Sequence, residues 1–177
     1  MKRLIFALIA LMAITFTTQA QKFAYVDSDY ILQNIPEYND AQAQLDELSA
    51  QFQQEVEAKF SAIDKLYKDY QAESVLLPEE MKKKREEAIV KAEKDAKEMQ
   101  KKRFGKDGDL FKKRQELVKP IQDKIFNAIE QVSQAKNYAL VFDKAGGVTM
   151  MYADPKYDIS DDILEEMGYS FNTRKNK

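Results

Sequence analysis

The sequence predicts a mainly α-helical protein with a small β body (an α+β class), in which short strands from both chain ends frame a long helical hairpin. Three observations favour this class. Residues 39–136 are rich in strong helix formers, and apolar residues recur there every three or four positions. Short β-rich runs lie before and after this stretch. The whole chain holds only 5 Gly and 4 Pro, which leaves few breaks.

Composition excludes several kinds of catalytic and metal site. The 177-residue chain contains no His and no Cys. Without them a single chain cannot build a Ser–His–Asp or Cys–His catalytic site, a Cys/His zinc site or a disulfide bond. Carboxylate metal sites and carboxylate acid–base pairs remain open, but no spacing in the sequence assembles one. We therefore expect no cofactor and no metal.

The segment at residues 1–20 has the layout of a secretory signal peptide. Lys2 and Arg3 precede an apolar run, and the segment ends in small or polar residues with Ala20 last. The apolar run, of about 13 residues, is shorter than the roughly 20 that a membrane-spanning helix needs. We predict cleavage after Ala20, which leaves a periplasmic mature chain with a net charge of −4.

Two apolar stripes predict the helices of the arm, which we place at residues 37–136. The first stripe advances by three or four residues, close to the coiled-coil period. The chain is expected to turn near residues 74–78, because Pro78 followed by Glu79 and Glu80 is typical of a helix start. The first stripe comprises Leu45, Leu48, Phe52, Val56, Phe60, Ile63, Tyr67 and Tyr70, and the second Ile89, Ala92, Ala96, Met99, Phe111, Val118, Ile121, Ile125, Ala128 and Val132.

Charge supports an antiparallel arrangement of the two arms. Residues 37–77 carry a net charge of −6 and residues 79–124 a net charge of +5. The arms therefore attract each other, although each exposed pair is weak and screened by salt. Within the returning arm, Gly105 and Gly108 predict either a loop between two helices or a bend in one long arm, and Pro120 predicts a kink.

The chain ends predict a β-rich oligomerisation body at residues 21–36 and 137–168. Phe23–Val26 and Tyr138–Phe142 are short apolar runs. Val148–Tyr152 follows after a Gly-Gly turn, so we expect a β-hairpin between the last two runs. Three short strands make a poor independent sheet, and oligomerisation would complete the core.

A last helix and a polar tail close the chain. Asp158 is placed to cap the helix, which we expect to end at Gly168. Residues 169–177 are polar and predict a flexible tail.

In the order of these elements the chain resembles the Skp/OmpH family of periplasmic chaperones. The resemblance covers the mature sequence and rests on the signal peptide, the opening strand, the helical hairpin, the run from Ile121 into Asp143, and the closing helix from Asp158. It implies a jellyfish-shaped homotrimer whose β body carries three arms, and these enclose unfolded outer-membrane proteins without ATP. Members of that family are strongly basic, whereas positive charge here is confined to the returning arm.

Three sets of side chains are candidates for function under this resemblance. The client-contact candidates are Leu76, Leu77, Tyr67, Tyr70, Met81 and Met99. The basic-lining candidates, which could equally be solvated faces that partner the acidic arm, are Lys82, Lys83, Lys84, Arg85, Lys101, Lys102 and Arg103. The candidates for the trimer body are Phe23, Tyr25, Leu140 and Phe142. For Phe52, Phe60 and Ile63 we favour burial in the seam between the arms.

Other functions are weighed against the chaperone. A coiled-coil scaffold or spacer of the cell envelope would explain the arms but not the strands. An enzyme acting through Asp27, Asp29 and Asp143 would rest only on acidic residues at strand ends, which are usually caps or turns. Contact with a membrane surface stays open, and an acidic exported chain is not expected to bind nucleic acid.

Overall fold

The computed structural model describes residues 21–147 and 149–169, and it is mostly helical with a small sheet, as predicted. The predicted signal peptide, Val148 and residues 170–177 of the predicted tail lie outside the described residues. In chain order the elements are β1 (Lys22–Val26), α1 (Ser28–Gln33), α2 (Pro36–Glu73), α3 (Glu79–Phe104), α4 (Asp109–Lys136), β2 (Tyr138–Asp143), a 3₁₀ turn (Pro155–Tyr157) and α5 (Ser160–Glu166).

The sheet pairs the two ends of the chain in parallel. Phe23 lies opposite Leu140 and Tyr25 opposite Phe142. Parallel strands need a long crossover connection, and here the whole helical arm provides it. On the other side of β1, Tyr25 forms a single parallel bridge with Asp158.

The predicted β-hairpin after β2 is wrong. Residues 149–152 form no strand. The backbone N–H of Lys144 instead donates to the Val26 carbonyl at 2.8 Å, which continues the pairing with β1 beyond the end of β2. Gly147 has a φ of 80°, in the left-handed region that glycine adopts without strain. Further along the chain, Asp158 forms its bridge with β1.

The core of the body gathers side chains from β1, α1 and α5 and from the ends of α2 and α4 that lie next to the body. Ile31 and Ile35 near α1 are fully buried, as are Ile163 and Leu164 of α5. The C-terminal half of α4 lies in the same cluster through Ile121, Ile125, Ala128 and Val132. This end of α4 is therefore anchored in the body.

The arm is a thin pair of helices that run in opposite directions. Glu55 contacts Arg103, and further along α2 Tyr67 contacts Glu93, so rising numbers on α2 meet falling numbers on α3. The buried side chains of α3 are Ile89 and Ala96 alone. Those of α2 are Ala41, Leu45, Phe52, Val56 and Ile63. No side chain between residues 64 and 88 is buried.

The returning arm is divided into α3 and α4 by a tight turn at residues 105–108. A Cβ on Gly105 would clash with the Lys101 carbonyl oxygen, and one on Gly108 would lie 2.8 Å from the Lys102 carbonyl oxygen. Both glycines are therefore required by close backbone approach. Pro120 does not interrupt α4, which continues through it to Lys136.

Candidate functional site

The tip of the arm presents an apolar patch to solvent. Val75 is 89% exposed and Leu76 is 85% exposed, while Leu77 is half-buried and Met81 is exposed. We call these four residues the tip patch. Leu76, Leu77 and Met81 were client-contact candidates, whereas Val75 was missed, although it lies in the same apolar run.

The tip loop is held in shape by its own backbone. The N–H of Leu76 donates to the Glu73 carbonyl at 2.9 Å, and the N–H of Met81 donates to the Pro78 carbonyl at 2.9 Å. These bonds close one turn at the end of α2 and one at the start of α3. The apolar side chains are therefore displayed by a hydrogen-bonded loop.

The two tyrosines proposed for client contact join α2 to α3. The Tyr67 hydroxyl donates to Glu93 at 2.8 Å, and the Tyr70 hydroxyl donates to Glu86. In each case the hydrogen bond to the carboxylate is the main cause that raises the pKa of the tyrosine, with desolvation adding to it. Tyr67 remains exposed, whereas Tyr70 is half-buried, as is Met99.

Most of the basic residues near the tip are paired with acidic neighbours. Lys82 contacts Glu79 at 2.7 Å, and Lys84 contacts Glu80 at 2.8 Å. Arg85 reaches across to Glu73 at 3.2 Å. Within the described parts of the chain, the basic-lining candidates that are exposed and form no ion pair are Lys83, Lys101 and Lys102.

Arg103 differs from the other basic candidates because it is built into the arm. Its guanidinium contacts Glu55 of α2 at 2.9 Å and Asp109 of α4 at 2.6 Å. It also lies 4.3 Å from the ring centre of Phe52, and Phe104 packs edge-on against that ring at 6.2 Å. We call these five residues the Arg103 cluster. The interpretation of Arg103 as part of an open lining does not fit this position.

The sheet of the body has one apolar face turned away from the core. Ala24 and Val26 belong to the core, so the alternation of side chains along a strand puts Phe23 and Tyr25 on the other face. Phe23 is 46% exposed there, although Tyr25 is buried. Leu140 and Phe142 lie opposite Phe23 and Tyr25 and share this face. Tyr152 and Tyr157, which sequence reasoning did not single out, line the same groove as Phe23 and Phe142. We call the exposed residues Phe23, Leu140, Phe142, Tyr152 and Tyr157 the outer face.

The acidic residues at the strand ends serve as structural acceptors. The Ser28 hydroxyl donates to Asp143 at 2.7 Å, and the Tyr30 backbone N–H donates to Asp27 at 3.0 Å. Asp29 is exposed in the first turn of α1. Across residues 21–147 and 149–169, no group of acidic side chains is arranged to hold a metal ion.

No helix in the described part of the chain is both long and apolar enough to cross a bilayer.

Comparison with known proteins gives a family, a relative and a fold. A family model described as outer membrane protein (OmpH-like) matches residues 22–167. An uncharacterized protein of Aquifex aeolicus (strain VF5) is 29% identical over 163 residues, which cover 92% of this chain and 94% of that protein. A crystal structure from Caulobacter crescentus CB15, proposed to be an outer membrane chaperone (OmpH-like), has a TM-score of 0.64. The match covers 85% of this chain and 86% of that one at 16% identity, so it shows a shared fold.

Proposed function

Because the chain belongs to the OmpH-like family of outer membrane proteins, we propose that it is a holdase chaperone. It binds unfolded outer-membrane proteins in a cavity between its helical arms and prevents their aggregation without ATP. The observation that carries the proposal is the tip patch, in which Val75 and Leu76 lie almost fully in water at the end of an arm with few buried side chains.

Binding without ATP has to be weak at each contact. Fully burying one Val or Leu side chain contributes roughly 1.5–3 kcal/mol, and ordering the client opposes this gain. A single tip patch is therefore a weak site. Several patches that act on one client would bind it firmly and still release it, because each contact breaks alone.

The body supports assembly into a homotrimer. Its two-stranded sheet leaves the outer face exposed, and β2 pairs only with β1 in the described residues. A two-stranded sheet by itself is only marginally stable in water. We propose that neighbouring copies cover this face, with three copies as in the family that the sequence resembles, and that residues 1–20 direct the chain to the periplasm.

Charge has a local role in this proposal. Lys82, Lys84 and Arg85 are already paired, so long-range attraction of clients is limited. The exposed Lys83, Lys101 and Lys102 supply positive charge along the arm. Capture then depends mainly on apolar contact at the tip, and we expect it to depend weakly on salt.

The test is suppression of aggregation by the mature chain. An unfolded eight-stranded outer-membrane barrel is diluted from urea into buffer with the wild type or with a variant carrying Leu76→Ser and Val75→Ser, and light scattering is followed. We expect the wild type to keep the barrel soluble and the tip variant to lose most of this protection.

Val90→Ser is the matched control, because Val90 is 63% exposed on α3 and lies outside the tip patch. It should protect like the wild type. A wild-type chain that leaves the barrel to aggregate would refute the holdase proposal and favour the scaffold. Equal protection by wild type and tip variant would remove the tip patch as the site of contact.

A further inference from the structure

We infer that the Arg103 cluster is an ionic lock on α3. While it is closed, α3 stays against α2. When it opens, α3 loosens from α2 between the tip loop and residues 105–108, which tether its two ends, while α4 and the body remain closed.

The turn at residues 105–108 separates the end of α3 that carries Arg103 from α4. The N–H of Gly105 donates to Lys101 as the last bond of α3, and the N–H of Lys112 donates to Gly108 as the first bond of α4. Between the helices, Gly108 donates to Gly105 at 2.9 Å. The backbone hydrogen bonds of α3 therefore end before those of α4 begin, so loosening of α3 does not have to spread into α4.

The lock lies where all three helices meet. Arg103 belongs to the last turn of α3, Glu55 to α2, and Asp109 to the first turn of α4. The side chains of the three residues are 25%, 33% and 29% exposed. Among the ion pairs of the described residues, only these two have both partners exposed by a third or less. Partial burial shields them from solvent, so they hold more firmly than the exposed pairs of the arm.

The remaining contacts between α3 and α2 are weak. Apart from the Arg103 cluster, the only residues that α3 buries are Ile89 and Ala96. The hydrogen bonds of Tyr67 and Tyr70 and the ion pair of Arg85 with Glu73 are exposed. By contrast, α4 is held by a row of aliphatic side chains in the body core. Since local opening follows the lowest density of buried contacts, α3 is the part of the arm that opens first.

Opening α3 would uncover Phe52, Val56 and Ile63 of α2, which are buried when α3 is closed. If the proposed chaperone function holds, this seam adds apolar surface to the tip patch. The lock itself needs no client, and it stands on the contacts of Arg103 alone.

Hydrogen exchange followed by mass spectrometry tests the lock on the mature chain without client. Arg103→Gln removes the charge. We expect amides in residues 79–104 to exchange about fivefold faster, because α3 without its contacts to α2 is an isolated helix whose backbone hydrogen bonds open readily. The effect is smaller than for a fully buried charged hydrogen bond, because Arg103 retains some contact with water. Amides of α4 from residue 117 onward should keep the wild-type rate. High salt should accelerate the wild-type α3 and leave the Arg103→Gln protein nearly unchanged.

Arg85→Gln is the matched control, since it removes an exposed arginine that also links α3 to α2. It should change exchange less than Arg103→Gln and only near the tip. Arg103→Lys should restore part of the protection, because lysine keeps the charge but not the fork that reaches two carboxylates.

Unchanged exchange in α3 on Arg103→Gln would overturn the lock, as would faster exchange spread evenly through α4 and the body. Because no client is present, that result would leave the chaperone proposal standing. Failure of the aggregation assay would in turn leave the lock standing.

Discussion

At the residue scale, the hydroxyl groups of Tyr67 and Tyr70 make the arm sensitive to alkaline pH. Each donates to a glutamate on α3, and this bond raises the pKa of each tyrosine. The folded state thus holds the phenolic proton more tightly than the unfolded chain, whose tyrosines have a pKa of about 10. Their contribution to stability is complete below that value and is lost as pH rises through the higher folded pKa.

We predict that Glu86→Gln lowers the pKa of Tyr70 towards its ordinary value, because the main cause of the rise is the bond to Glu86. Ultraviolet difference spectroscopy across an alkaline titration measures the change, with Tyr70→Phe to identify the signal. Glu87→Gln removes a neighbouring carboxylate that forms no bond with Tyr70 and should leave the titration as it is. Identical curves for both glutamate variants would contradict the assignment.

At the element scale, the stripe on α2 changes its spacing where one partner helix replaces another. Leu45 and Phe52 are buried seven residues apart, and Val56 and Ile63 repeat that spacing after a step of four. The step lies beside Glu55, where Arg103 marks the junction of α4 and α3. Phe60 lies between Val56 and Ile63 and does not share their seven-residue spacing. It is therefore 40% exposed, and the prediction that it is buried in the seam is wrong.

Part of the arm follows from local sequence pattern and part from contacts between helices. Periodicity identified the helices, their turn near Pro78 and the burial of Phe52 and Ile63, because these depend on local pattern. It could not determine which stripe members face a partner, because that depends on where α3 ends. The role of Arg103 was missed for the same reason, since its partners lie on two other helices.

The close backbone contact at the turn between α3 and α4 predicts that a side chain at Gly105 lowers stability. Gly105→Ala should lower the free energy of unfolding by about 1–3 kcal/mol, because the new Cβ would clash with the Lys101 carbonyl oxygen, a backbone atom that moves only with the helix. Urea denaturation followed by circular dichroism measures it. Gln100→Ala, at an exposed position of α3, is the control and should be nearly neutral. Equal midpoints for the two variants would show that the turn tolerates a side chain.

At the scale of the whole molecule, the body depends on contacts between distant parts of the chain. The sequence predicted that strands from both ends meet, and β1 and β2 do so. It predicted a hairpin with residues 148–152 because the Gly-Gly turn is a local signal, whereas the pairing that forms joins residues more than a hundred positions apart. The exact partner of each strand and their parallel direction have no signature in local sequence.

The last prediction concerns assembly of several chains through the exposed outer face of the sheet. Leu140→Asp puts a charge at a position that is 53% exposed in the single chain and that neighbouring copies would bury in the proposed trimer. A charge buried without a partner is costly, so we expect the trimer to dissociate, which light scattering reads as a fall to the mass of one chain. Secondary structure should persist, because Leu140 lies outside the buried core.

Val90→Asp places the same charge on the arm and should leave the mass unchanged, since Val90 lies far along α3 from the sheet. A wild-type chain that is already monomeric would refute the trimer. A stable trimer with Leu140→Asp would move the interface away from the outer sheet face. Because Leu140 is not part of the body core of one chain, loss of assembly can be distinguished from loss of folding. An isolated chain would retain its tip patch but lose the combined binding of several arms.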